Sequence, residues 1–89
     1  MVQIYHNSKF LDYWGPNPKL NFSDCVLVGE IPTDDLNVAC RESQNIDEVW
    51  NVENPCRSSS VGDVFVLSGV KYVVESVGFK ILDDCEANV

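Results

Sequence analysis

Two β-branched runs separated by two residues constrain this chain most. Asp63-Val64-Phe65-Val66-Leu67 and Val70-Lys71-Tyr72-Val73-Val74-Glu75-Ser76-Val77 flank the dipeptide Ser68-Gly69. That spacing predicts a β-hairpin with a two-residue turn, and such turns need positive φ, which Gly69 supplies. Alternation puts Val70, Tyr72 and Val74 on one face, and Lys71, Val73, Glu75 and Val77 on the other. Gly78 interrupts the run as a bulge or bend. Phe79-Lys80-Ile81-Leu82 then alternates again, as a bent continuation or a last strand.

The hairpin has an unusually polar entry, Arg57-Ser58-Ser59-Ser60-Val61-Gly62-Asp63. Three hydroxyls, a guanidinium and a carboxylate within seven residues are able to bind a ligand. They are equally able to satisfy backbone groups where a loop enters a sheet. An Arg57–Asp63 ion pair would close the turn, and Gly62 marks backbone that a side chain would obstruct. The motif residues Arg57, Ser58, Ser60, Gly62 and Asp63 are therefore read as structural first, with a ligand site as the alternative.

The remaining elements follow from local patterns. Val2-Gln3-Ile4-Tyr5-His6 alternates and predicts a short strand. Residues 7–22 form a long connection, where Gly15-Pro16-Asn17-Pro18 precludes a helix or a central strand. Its Phe10, Tyr13, Trp14 and Phe22 favour a packed loop; Tyr13 and Trp14 are also candidates for a partner-binding patch. Cys25–Ile31 is almost continuously apolar, as expected of a strand buried on both faces or central in the sheet. Pro32 ends it.

A helix opens at Thr33-Asp34-Asp35-Leu36, with Thr33 as cap and the aspartates at the positive end of the dipole. Leu36, Ala39, Cys40 and Ser43 share its buried stripe, and it should end near Gln44-Asn45. Residues 46–56 are irregular, with Val49, Trp50 and Val52 returning to the core. The order β, loop, β, α, β, β, β predicts an α+β fold: a small antiparallel or mixed sheet of four or five strands with one helix packed on one face.

With 89 residues the chain is read as one domain, its acidic tail 83–89 frayed. No apolar run is long enough to span a bilayer, and residues 1–8 lack the pattern of a signal peptide, so a cytoplasmic location is expected. Fourteen acidic against six basic residues give a net charge of −8. Such a surface repels phosphate backbones and anionic lipid, which argues against direct nucleic-acid or membrane binding. It suits a protein partner with a basic surface. Asp34, Asp35, Glu42, Asp47 and Glu48 are candidate binding carboxylates, although the dipole also accounts for Asp34 and Asp35.

Catalytic motifs are missing. His6 is the single histidine, and neither a nucleophile elbow nor a phosphate-binding glycine loop is present. Cys25, Cys40, Cys56 and Cys85 contain no close pair of the kind that zinc sites show. No catalytic residue, metal or cofactor is assigned.

Arg57-Ser58-Ser59-Ser60-Val61-Gly62-Asp63-Val64, then an apolar hairpin with Tyr72, then Val77-Gly78-Phe79, resembles the YodL-like proteins of mobile elements, plasmids and phages. Asn45-Ile46-Asp47-Glu48-Val49-Trp50 is similar to the segment that precedes the motif in some of them. The likeness covers about residues 36–82; the activity of that family is unassigned. It implies a non-catalytic protein that binds a host protein, as a host-takeover or anti-defence inhibitor imitating nucleic-acid charge. The alternatives are a small interaction module, dimeric or not, using the aromatic loop 10–22, and a ligand-binding or enzymatic domain centred on Arg57–Asp63.

Overall fold

The computed structural model describes residues 1–14, 20–46 and 48–82. The proline-containing run 15–19, Asp47 and the acidic tail expected to fray lie outside the described residues.

Five strands form one antiparallel sheet: β1 (Val2–Asn7), β2 (Cys25–Ile31), β3 (Val64–Leu67), β4 (Val70–Val74) and β5 (Phe79–Ile81), in the order β2-β1-β3-β4-β5. One α-helix, α1 (Leu36–Glu42), lies between β2 and β3 in sequence. Short 3₁₀ turns at Phe10–Trp14 and Phe22–Asp24 punctuate the first long connection. The chain is thus α+β, and its sheet is antiparallel rather than mixed.

Leu67 stands opposite Val70, leaving Ser68 and Gly69 as the two turn residues. Their φ angles are 52° and 79°, the positive pair of a type I′ turn. The return strand stops at Val74. Glu75 N–H donates to the Gly78 carbonyl across a four-residue turn, and Gly78 has a φ of 76°. Phe79–Ile81 is therefore a strand of its own against β4, not a continuation.

Register sorts the side chains. Val2 and Ile4 oppose Leu67 and Phe65, and Phe65 opposes Tyr72. Val2, Ile4, Phe65 and Val74 join Ala39 of α1 in the buried core, with Leu36, Cys40, Trp50 and Phe79 packed against it. Each fully buried aliphatic or aromatic side chain of this kind contributes about 1.5–3 kcal/mol. On the other face Val64 and Val73 are paired and buried. There Phe22 stacks on Tyr5 at 4.8 Å between ring centres, and the Lys71 ammonium lies 5.0 Å from the Phe22 ring.

Three local expectations need correction. β2 is an edge strand, not a central one. Its register against β1 jumps by one residue between Ile4 and Tyr5, which leaves Val28 as a bulge. The bulge breaks the alternation on which the doubly buried reading rested, and Val26 and Leu27 are 61% and 45% exposed. Secondly, Asp35, not Thr33, caps α1: its carboxylate accepts from Asn37 and Val38 N–H, while Thr33 Oγ1 accepts from Asp35 N–H. Thirdly, of Val49, Trp50 and Val52 only Trp50 returns to the core; the two valines face solvent.

Candidate functional site

Asp63 is held by more hydrogen bonds to its carboxylate than any other acidic side chain among the described residues. Its side chain is 0% exposed. Oδ1 accepts from the Asn7 backbone N–H at 2.8 Å and from Arg57 Nη2 at 2.7 Å. Oδ2 accepts from Arg57 Nη1 at 2.6 Å and from the Ser60 N–H at 2.7 Å. A carboxylate has about four acceptor positions, and these four donors fill them. Arg57 also donates from Nη1 to the Ser58 carbonyl and from Nη2 to the Asn7 carbonyl, and its guanidinium stacks 4.0 Å over Phe10. The bidentate pair therefore ties the 57–63 segment to the end of β1.

Gly62 completes the joint. Its φ is 94°, and a Cβ there would lie 2.9 Å from Tyr13 Cβ and 3.1 Å from the Phe10 carbonyl oxygen. Its carbonyl accepts from Asn7 Nδ2, and the neighbouring Val61 carbonyl accepts from Trp14 Nε1. Ser58 Oγ accepts from the Asn45 N–H, and Ser59 N–H donates to the Ser43 carbonyl beyond the C-terminus of α1. The polar entry thus joins three parts of the chain: the first strand, the aromatic turn and the helix end.

His6, Ser59 and Asp63 meet here. Ser59 Oγ lies 3.1 Å from His6 Nε2, and Asp63 Oδ2 lies 3.9 Å from the same nitrogen. A hydrolase relay places the serine and the carboxylate on opposite ring nitrogens, and the two oxygens here share one. Burial pushes the His6 pKa below its ordinary 6.5; the nearby Asp63 charge opposes this and the Arg57 charge adds to it. A neutral, hydrogen-bonded imidazole packed 6.2 Å from the Trp50 ring follows.

Among the described residues, the thiols of Cys25, Cys40 and Cys56 are poorly activated as nucleophiles. Burial, with Asp63 and Asp24, pushes Cys25 up to about 11; burial also raises Cys40 and Cys56. A raised thiol pKa lowers the thiolate fraction near neutrality. Among the described residues no group of three His, Cys, Asp or Glu side chains is arranged to hold a metal.

The open surfaces lie elsewhere. Trp50 is the common wall of three clefts of about 480, 350 and 260 Å³. Glu30 and Glu53 line the first, Glu42 and Glu48 with Arg41 the second, and Glu42 the third. Ile46 and Val52, 74% and 81% exposed, belong to the same segment as Trp50. Trp50 is held from three sides: Nε1 donates to the Arg57 carbonyl, its N–H donates to Asn45 Oδ1, and its ring fills the space above Gly29. Asn51 and Asn54 reach over the bulge and donate to the Val28 carbonyl. Sequence reasoning assigned none of Trp50, Asn51 and Asn54 to a surface. The asparagine spacing 45, 51, 54 was the available signal, since Asn side chains organise turns.

The candidate carboxylates divide. Glu42 and Glu48 come together beside Trp50, whereas Asp35 is engaged as the helix cap and Asp34 accepts from the Met1 amine at 2.7 Å. That hydrogen bond, with the amine's charge, lowers the Asp34 pKa. Tyr13 and Trp14 line a different cleft of about 470 Å³ with Glu75 and Lys80. Trp14 is exposed there, and the Tyr13 hydroxyl pKa is raised by partial burial and by its hydrogen bond to Glu75.

Compared with protein-family models, with curated proteins and with solved structures, the chain finds no match in any of the three.

Proposed function

We propose that this chain is a non-catalytic protein-binding domain, and that it presents the acidic and apolar surface around Trp50 to a basic partner. The observation that carries this is the convergence of Glu30, Glu42, Glu48 and Glu53 on clefts that share one tryptophan wall, with Ile46 and Val52 exposed in the same segment. A half-buried aromatic wall with apolar neighbours and a charged rim has the make-up of protein interfaces. In this reading α1 covers the sheet face that carries Val2, Ile4 and Phe65, because Ala39 shares their cluster, and that cover brings Glu42 beside Trp50.

Arg57–Asp63 takes an architectural role here, since its carboxylate has no acceptor position left for a ligand. The exposed aliphatics among the carboxylates favour recognition of an apolar, basic protein surface over imitation of a phosphate backbone alone. A mobile-element or phage inhibitor that occupies a basic groove of a host protein is the form that the YodL-like resemblance gives this role.

A second surface has its own observation: Trp14 and Leu11 are exposed beside the Tyr13 cleft. A photo-crosslinking amino acid placed at Val52, or separately at Trp14, in extracts of the chain's own cell distinguishes the two. Crosslinking to one basic protein from position 52 and not from 14 is expected. Crosslinking from position 14 alone would transfer the role to the aromatic loop.

A further inference from the structure

β2 is an open edge of unusual character. Consecutive strand residues point to opposite faces, and both Val26 and Leu27 are exposed. Val26 and Leu27 therefore leave apolar surface open on both faces of this half of the strand. Natural edges are blunted by lysine, proline or a covering loop, because an open apolar strand invites another strand. Here, among the described residues, the Asn51 and Asn54 side chains take the Val28 carbonyl at the bulge, the Cys25 N–H is given to the Phe22 carbonyl and the Ile31 carbonyl accepts from the Thr33 N–H. The cleft of about 480 Å³ lies between this edge and the 50–54 segment, and its charged side chains are Glu30 and Glu53.

We infer that β2 is the docking strand for an extended segment of the partner protein, rich in Lys or Arg and alternating with apolar residues. This rests on the protein-binding role proposed above and names the kind of segment bound. Main-chain hydrogen bonds along Cys25–Leu27, the engaged Cys25 N–H excepted, supply affinity, and alternate side chains supply specificity. The segment's apolar residues, which share one face, cover Val26, and its cations on the other face lay their alkyl stems over Leu27 toward Glu30 and Glu53. Charge decides against a second copy of this chain as the occupant. Two surfaces of net charge −8 repel, whereas a cationic segment is attracted.

The test uses the intact chain and a fluorescent peptide of about nine residues alternating lysine and valine, a length matched to a strand. A partner peptide carries proline at every second position, which removes backbone N–H donors while keeping the positive charge. The alternating peptide is expected to bind at least about tenfold more tightly than its proline counterpart. Its binding should weaken with salt, and by about tenfold in a Glu30→Lys, Glu53→Lys variant. Amide resonances of Cys25–Leu27 should shift, with those of Phe79–Ile81 unchanged. Equal binding of both peptides overturns strand addition but leaves the Trp50 surface intact as a side-chain recognition site. Shifts confined to β5, or no binding up to about 1 mM, also overturn it. So does concentration-dependent dimerisation that Val26→Lys abolishes, since the edge then belongs to a second copy.

Discussion

Asp63 gathers four hydrogen bonds on one buried carboxylate. Removing one partner of a buried, hydrogen-bonded ion pair leaves an uncompensated charge and costs about 3–5 kcal/mol. Arg57→Ala and Asp63→Ala are each expected to lower the melting temperature by roughly 12 °C or more in a domain of this size, read by thermal circular dichroism. Gly62→Ala should be destabilising by about 1–3 kcal/mol in urea titrations, because it adds both a positive-φ penalty and a Cβ 2.9 Å from Tyr13. His6 adds a pH dependence. Its folded-state pKa lies below 6.5, so the unfolded chain binds the proton more readily. The stability that neutral His6 carries is complete above pH 6.5 and is lost as pH falls through its lowered folded value. The urea midpoint should drop on acidification in that range, and His6→Gln should flatten the dependence. The ion pair was legible in the sequence, because Arg and Asp six residues apart around a glycine have few other arrangements. Asn7 as its third member was not legible, since it lies fifty residues away from Arg57 and only the fold brings it there.

At the scale of the element, the hairpin was the most legible part, because its turn chemistry and its alternation agree. Ser68 is its one imperfect residue. A serine at a φ of 52° is disfavoured relative to asparagine, the residue type I′ turns prefer. Ser68→Asn should therefore raise stability by about 0.5 kcal/mol, checked by chemical denaturation. The helix stripe Leu36, Ala39, Cys40 and Ser43 was equally legible, since a period of 3.6 admits few alternatives. β2 was misread for a physical reason. A continuous apolar run marks burial only when the strand pairs regularly on both sides, and the Val28 bulge with an edge position removes both conditions. The same features leave Val26 and Leu27 bare.

In the whole molecule, the acidic residues gather unevenly. The clefts around Trp50 bring together four carboxylates with Arg41 as their one lining cation, and the Tyr13–Trp14 cleft pairs Glu75 with Lys80. Net charge was read directly from composition, but its distribution depends on which loops meet, and the meeting of β2, α1 and the 46–54 segment is set by long-range packing of Trp50 onto Gly29. Binding through this surface should be steered by charge and weaken steeply between low and physiological salt. The most direct measurement is the affinity of the crosslinked partner, once purified, for the chain and for an Ile46→Lys, Val52→Lys variant. Both positions are exposed, so circular dichroism should show the variant folded as the parent is. A loss of affinity of at least about tenfold in that folded variant, with Trp14→Ala unchanged, is the predicted result. Undiminished affinity in the Trp50-surface variant, with loss in Trp14→Ala, would contradict it.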